Sequence, residues 1–391
     1  MQIASRADSI APFYVMEVAK AAAALAATAP VQRPVVFLNI GEPDFTAPPL
    51  VQEAAIRAIQ NGQTQYTPAL GLDALRERLS HWYAQHFGLT VPAQRIVITS
   101  GASAALQLAC LALFDAGTEV LMPDPCYPCN RQFVRAVGAE AVLLPTTAEQ
   151  RFQLHAEQVR TAWNARTRGV LLASPSNPTG TSIHPNALRD IHAAVQEHGG
   201  VTVVDEIYLP LSFDATYRQS ALAIDDAIIS INSFSKYFHM TGWRLGWMVV
   251  PEPLVPVVER LAQNLYIAPS TVAQHAALAC FAPESLAVFE QRRTEFQTRR
   301  DYFIPQLRAL GLQVPVIPDG AFYAWADCTE LCQQLGLTGS WDFSFSVLER
   351  AFVAITPGRD FSQAQGNRFV RFSTANSMEQ LQLAIERLRQ L

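Results

Sequence analysis

Between about residue 95 and residue 250, short β-branched apolar runs alternate with stretches of helical periodicity. The runs predict strands at residues 96–99, 120–122, 141–144, 170–173, 202–205, 228–231 and 247–250. Most are apolar without interruption, as strands covered on both faces are. Residues 102–114 and 185–198 carry apolar side chains at helical spacing between them. This order predicts an α/β fold: a large domain whose mainly parallel, seven-stranded sheet is sandwiched by helices.

A charged helical segment at residues 283–310 leads into a smaller α/β domain. There, residues 320–325 and 369–373 predict strands, and residues 378–391 a closing helix. The alanine-rich run at residues 21–29 follows Asp8 and Glu17 and is only weakly hydrophobic, so it predicts a helix pressed on the body rather than a signal segment. Residues 1–45 have no evident core of their own. The division expected is an N-terminal arm with part of the small domain at 1–45, a large cofactor-binding domain at 46–285 and a small C-terminal domain at 286–391.

Half of the 391 residues are hydrophobic, only 16% are charged, and the formal net charge is −5. No basic footprint marks a nucleic-acid or anionic-membrane partner. No apolar stretch approaches the roughly 18 residues of a membrane span, and a cytoplasmic location is expected. Cys110, Cys126, Cys129, Cys280, Cys328 and Cys332 are too sparse for a disulfide framework. Cys126 and Cys129 form a C-x-x-C pair, but no second pair or histidine follows at ligand spacing, so no metal site is expected.

Chemistry concentrates in four stretches. In the first, Lys236 lies among Ser233, Ser235 and Arg244, just after a predicted strand. A lysine amine is nucleophilic only when its ammonium form is disfavoured, and desolvation with a neighbouring cation does that. The serines and the arginine suit a phosphate monoester. An amine for an aldehyde, beside a phosphate site, implies pyridoxal 5'-phosphate. In the second, Ser100, Gly101, Ala102 and Ser103 open a helix directly after a strand, where backbone N–H groups point at an anion. In the third, Asn177, Pro178, Thr179 and Gly180 form a turn after a strand, with an amide able to reach a phenolic oxygen of the cofactor. In the fourth, Asp205 closes an apolar strand, as a carboxylate pairing with a pyridine nitrogen would, and Tyr208 stands three residues on. Glu206 is assigned a structural or solvated role.

Read together, Asn177-Pro-Thr-Gly180, Asp205-x-x-Tyr208, Ser233-x-Ser235-Lys236 and Thr241-Gly-x-Arg244-x-Gly246 resemble the class I/II aminotransferases of the fold-type I pyridoxal phosphate enzymes. The likeness extends to Asn39-Ile-Gly41-Glu-Pro-Asp-Phe45, Gln65-Tyr66-Thr-Pro-Ala-Leu-Gly71, Asp124-Pro-Cys-Tyr127-Pro128 and Val370-Arg371-Phe-Ser373, nearly the whole chain. The resemblance implies that Lys236 carries the Schiff base and shuttles the proton, with Asp205 on the ring nitrogen and Tyr208 and Asn177 on the phenolic oxygen. It implies that Tyr127 stacks on the ring and that Ala102, Ser103, Ser233, Ser235 and Arg244 hold the phosphate. Tyr66 would reach the phosphate of a neighbouring subunit in a homodimer. Arg371 would clamp the substrate α-carboxylate, with Asn177 and Gly41 close by.

The implied reaction is ping-pong transfer of an amino group from an L-amino acid to a 2-oxo acid. Ser103 stands where aspartate-specific relatives often carry a lysine, which disfavours a dicarboxylate and favours a neutral or aromatic donor. Phe13, Tyr14 and the surroundings of Trp243 are candidates for an apolar pocket. The alternative is a fold-type I lyase of the carbon–sulfur β-lyase type, which would use the same lysine and cofactor. A dinucleotide-dependent oxidoreductase is disfavoured because no G-x-G pair occurs. A non-catalytic effector-binding relative is disfavoured by the lack of a helix-turn-helix extension.

Overall fold

The computed structural model describes residues 3–4, 7–8, 10–12 and 14–391. Its central sheet has seven strands: β2 (Ile96–Thr99), β3 (Glu119–Asp124), β4 (Glu140–Pro145), β5 (Thr167–Ala173), β6 (Val201–Asp205), β7 (Ile229–Ser233) and β8 (Gly246–Val249). They lie in the order β2-β8-β7-β6-β5-β3-β4. Neighbours pair in parallel from β7 to β4, whereas β8 runs antiparallel to both β7 and β2. All strands but β8 therefore point the same way, and their C-terminal ends share one edge. The sheet is mainly parallel, as its uninterrupted apolar strands predict.

Burial explains those strands. Every residue of β2, β3, β7 and β8 is buried, whereas the edge strand β4 is partly exposed. Helices 102–113, 128–136 and 185–196 cover the sheet, two of them opened by a proline at the first helical position, where its missing N–H costs nothing. One apolar cluster packs Val97, Leu106, Met122, Val203 and Met248 on one face. Another packs Leu121, Val170, Val204, Ile191 and Val195 on the opposite side.

A second set of strands follows the 27-residue helix Pro283–Ala309. Strands β9 (Tyr323–Asp327), β11 (Thr356–Pro357) and β12 (Phe369–Ser373) form an antiparallel sheet in the order β11-β12-β9. The predicted strand at 320–325 starts later than expected. Gly320 to Phe322 is loop, and Ala321 sits at φ +58, outside the extended region. A short strand β1 (Val36–Phe37) pairs with β10 (Val353–Ala354), and Val36 and Leu38 share a core with Phe303, Phe343 and Ile385. The alanine-rich run forms the helix Val15–Thr28, which buries Val15, Val18 and Ala22. The closing helix spans Met378–Leu388. Among the described residues no single helix is long and apolar enough to cross a membrane.

Candidate active site

The shared edge of the central sheet gathers the chemistry. β2 ends one residue before Ser100 and Gly101, β3 before Tyr127, β5 before Asn177, β6 at Asp205 and β7 at Ser233. Open α/β sheets bind ligands at this edge because the loops leaving their strands diverge there. A cavity of about 440 Å³ lies at it. Its lining contains Gly41, Ala102, Ser103, Tyr127, Asn177, Asp205, Tyr208, Ser233, Ser235, Lys236, Arg244 and Arg371. Tyr66, the remaining predicted site residue, is not part of the lining, and its side chain is 81% exposed.

Strand register builds the anion end. Gly246 pairs with Thr99 on one side and with Ser233 on the other. A Cβ on Gly246 would lie 2.7 Å from the carbonyl of Asn232 and 2.8 Å from the amide of Ala102, so only glycine lets β8 pass so close to the helix start. Gly101 precedes that helix at φ +83, and a Cβ there would lie 2.7 Å from Nη2 of Arg244. The exposed guanidinium of Arg244 donates through Nη1 to the carbonyl of Thr241 at 2.9 Å and to Oγ of Ser235 at 3.5 Å. The first N–H groups of helix Ala102–Leu113, two serine hydroxyls and this guanidinium face one volume.

The Nζ of Lys236 donates to the carbonyl of Gly41 at 2.6 Å. Burial pulls its pKa down to about 8; Glu42 opposes this, and Arg371 and Arg244 reinforce it. Asp205 is buried, and burial pushes its carboxyl up to about 7, against the hydrogen bond from the amide of Ile207. The side chain of Asn130 also bonds Asp205 and favours its charge. The hydroxyls of Tyr208 and Tyr323 are hydrogen-bonded to each other at 2.7 Å, and burial holds the phenol of Tyr208 well above its ordinary range.

Arg371 enters from β12. Its Nη1 donates to Oδ1 of Asn177 at 2.9 Å and its Nη2 to the carbonyl of Asn39 at 2.6 Å. The guanidinium lies 4.6 Å from the ring centroid of Tyr323, and its buried Nε has no partner among the described residues. A buried donor left unpaired is costly unless a ligand meets it. Both side-chain polar atoms of Asn39, which also lines the cavity, are buried and have no partner among the described residues.

Several features escaped sequence reasoning. Tyr323 closes the cavity beside Gly41, where a Cβ would meet its hydroxyl at 2.2 Å, yet in sequence it is an ordinary strand aromatic. Asn130 carries no signal of its own in sequence, and Asn39 stands there only as part of a motif. Trp243 does not line this cavity; it lines a neighbouring one with Phe45 and His239, because the turn at Thr241–Trp243 aims it away. Tyr14 instead meets Trp341 edge-on at 6.2 Å, and Phe13 lies outside the described residues. Glu206 is structural, accepting from Ser220, Ala221 and Ser230.

Known proteins resemble this chain in sequence and fold. The chain is 37% identical over 388 residues to a valine–pyruvate aminotransferase of Mycobacterium tuberculosis, covering 99% of this chain and 97% of that protein. It is 32% identical to an aspartate aminotransferase of Geobacillus stearothermophilus, covering 99% and 98%. The crystal structure of an aminotransferase from Mycobacterium tuberculosis superposes with a TM-score of 0.94 at 36% identity, over 100% of this chain and 98% of that one. The Thermus thermophilus aspartate aminotransferase with maleate superposes at 0.92 and 32% identity, over 100% and 99%. Residues 33–388 match the family described as aminotransferase class I and II, and the chain belongs to that family.

Proposed function

We propose that this chain is a pyridoxal 5'-phosphate-dependent aminotransferase that moves an amino group from an L-amino acid to a 2-oxo acid by a ping-pong route. One observation carries the reading: a partly buried amine at position 236 opens onto the same cavity as an anion cradle, a buried carboxylate and a buried guanidinium. The residues fit the cofactor. Gly101 and Gly246 leave room where a phosphate must approach backbone, and Nε of Arg371 and the amide of Asn39 lack partners among the described residues.

When bound, pyridoxal phosphate supplies an aldehyde for the amine and an electron sink for the negative charge at Cα. Ala102, Ser103, Ser233, Ser235 and Arg244 hold the phosphate. Asp205 faces the ring nitrogen, where its ionised form keeps that nitrogen protonated. Because Oδ1 of Asn177 already accepts from Arg371, its Nδ2 is left to donate, and Tyr208 donates beside it toward the phenolic oxygen. Tyr127 covers a ring face. Arg371 takes the substrate carboxylate with Gly41 alongside. Lys236, with a pKa near 8, would remove the Cα proton and return it two atoms along, beyond the substrate nitrogen.

We further propose a homodimer. The loop carrying Tyr66 is held by hydrogen bonds from Thr271 to Gln65 and from Gln274 to Thr67, yet the phenol points to solvent, as a group serving a partner's phosphate site would. We keep the division at 1–45, 46–285 and 286–391, which the shared core of Val36 with Phe303 and Ile385 supports. A cytoplasmic location suits six free thiols. The lyase alternative is not favoured, because the matched family and the relatives described above bear aminotransferase names. The test is spectroscopic. The purified protein is expected to be yellow, to bleach with an amino acid and to regain colour with a 2-oxo acid. Pyruvate and ammonia released without an oxo-acid acceptor would overturn the assignment.

A further inference from the structure

Three cations line the cavity, and each has a place. The amine of Lys236 rests on Gly41, Arg244 stands at the helix start, and Arg371 is bonded to Asn177 and Asn39. The remaining lining comprises an apolar wall of Val15, Met16, Ala19, Ile40 and Leu106, together with Ala173, Pro175, Ile207 and Thr241, all without charge. A second carboxylate placed there would lose its water with no partner among the described lining residues. Methyl and methylene groups placed there would lose only unfavourable hydration.

Three of those wall residues come from the helix Val15–Thr28, and its beginning has no capping group of its own. Four N–H groups at a helix start need acceptors from elsewhere. Asp360 provides two: its Oδ1 accepts from the amide of Tyr14 at 3.0 Å and its Oδ2 from that of Val15 at 2.5 Å. The carboxylate is only 1% exposed. The preceding guanidinium, Arg359, lies 4.1 Å from the ring centroid of Tyr14 and 4.4 Å from that of Trp341.

The same turn supports the carboxylate clamp. Thr356 pairs with Arg371 across the sheet and accepts from its Nη2 at 3.4 Å, and Phe361 lies 4.8 Å from its guanidinium. Arg131 donates to the carbonyl of Asp360 at 2.7 Å, and a Cβ on Gly358 would lie 2.3 Å from the carbonyl of Phe369. One tight segment, residues 356–361, thus sets the distance between the group that reads the substrate carboxylate and the wall facing its side chain.

Resting on the aminotransferase reading, we propose that the amino donor carries an apolar side chain received by this wall. In the same proposal Asp360 is the positioning residue that fixes the wall relative to Arg371. The test uses the holoenzyme. Leucine and norvaline are expected to exceed aspartate in kcat/KM by at least about tenfold, since a single methylene in an apolar pocket discriminates by that much. Calorimetry with unreactive acids is expected to rank 4-methylpentanoate above succinate. In Asp360→Ala, the leucine-to-alanine ratio of kcat/KM is expected to fall about tenfold through KM, with faster hydrogen exchange at residues 15–22. Asp360→Asn, which keeps one acceptor, is expected to lie between. Should Asp360→Ala not fold, Met16→Ala at the half-exposed rim is expected to weaken 4-methylpentanoate more than acetate. Preference for aspartate, tighter succinate, or an unchanged ratio in a folded Asp360→Ala protein would overturn the proposal. Failure to bind pyridoxal phosphate or to exchange any amino group would instead overturn the aminotransferase reading beneath it.

Discussion

Arg371 and Asn177 stand 194 positions apart in the chain, yet Nη1 of the one donates to Oδ1 of the other at 2.9 Å in the buried floor of the cavity. This bond fixes both groups: it orients the guanidinium fork, and it decides which end of the amide faces the cavity. A hydrogen bond to a buried charge contributes about 1.5–3 kcal/mol. Asn177→Ala is therefore expected to lower kcat/KM by about 10- to 150-fold for donor and acceptor alike. Steady-state kinetics with two donor–acceptor pairs checks it. A change confined to one half-reaction would not fit.

Lys236 is expected to be the residue trapped when the holoenzyme is treated with borohydride. The only other lysine is Lys20, on the N-terminal helix, so peptide mapping is unambiguous. Lys236→Ala is expected to fold normally and to lose at least about 10³-fold in turnover, the usual contribution of a positioned acid–base group. Near wild-type turnover in that variant would rule out the assignment.

Asp205 makes the cofactor-free protein sensitive to pH. Burial raises its carboxyl from 3.8 to about 7, so between those values the folded chain holds a proton that the unfolded chain has released. Stability from this group is full below pH 3.8 and is lost as pH rises through 7. Asp205→Asn cannot ionise. Its Tm, relative to the native apoprotein, is expected to climb by roughly 2–5 °C from pH 4 to 7 and then level off. Scanning calorimetry of both apoproteins across that range checks the sign. In the holoenzyme the gap is expected to shrink, because a pyridinium partner stabilises the charge.

Gly101→Ala tests the anion cradle. The new methyl would sit 2.7 Å from Nη2 of Arg244 on a backbone at φ +83, a conformation that L side chains rarely adopt. Arg244 must shift away from the helix start. Affinity for pyridoxal phosphate is expected to fall at least about tenfold, and affinity for phosphate-free pyridoxal about threefold or less. Fluorescence titration of the apoprotein with each compound separates the two.

Tyr66 tests the proposed dimer. Mixing inactive Lys236→Ala with weakened Tyr66→Ala subunits under exchange conditions is expected to restore activity, because one site of each hybrid regains both native groups. Additive activities after verified subunit exchange would argue for a self-sufficient subunit.

The seven-stranded sheet was readable in sequence because strands covered on both faces are mostly apolar, and every residue of β2, β3, β7 and β8 is buried. Lys236, Asp205 and Asn177 were readable because each leaves the end of a predicted strand with its chemical neighbours a few positions away. The start of β9 was not: Ala321 at φ +58 breaks an aromatic run that alternation alone would extend.

The sequence by itself determined the amine, the carboxylate and the cradle, since local spacing carries groups delivered by a single strand end. Only the tertiary structure brought Tyr323 against Tyr208, the amide of Asn130 to Asp205, and Asp360 to the start of the helix Val15–Thr28. Those contacts join segments far apart in the chain. No periodicity records them, because the pairing is set by how two sheets and an N-terminal helix pack, and each partner alone is an ordinary residue of its element.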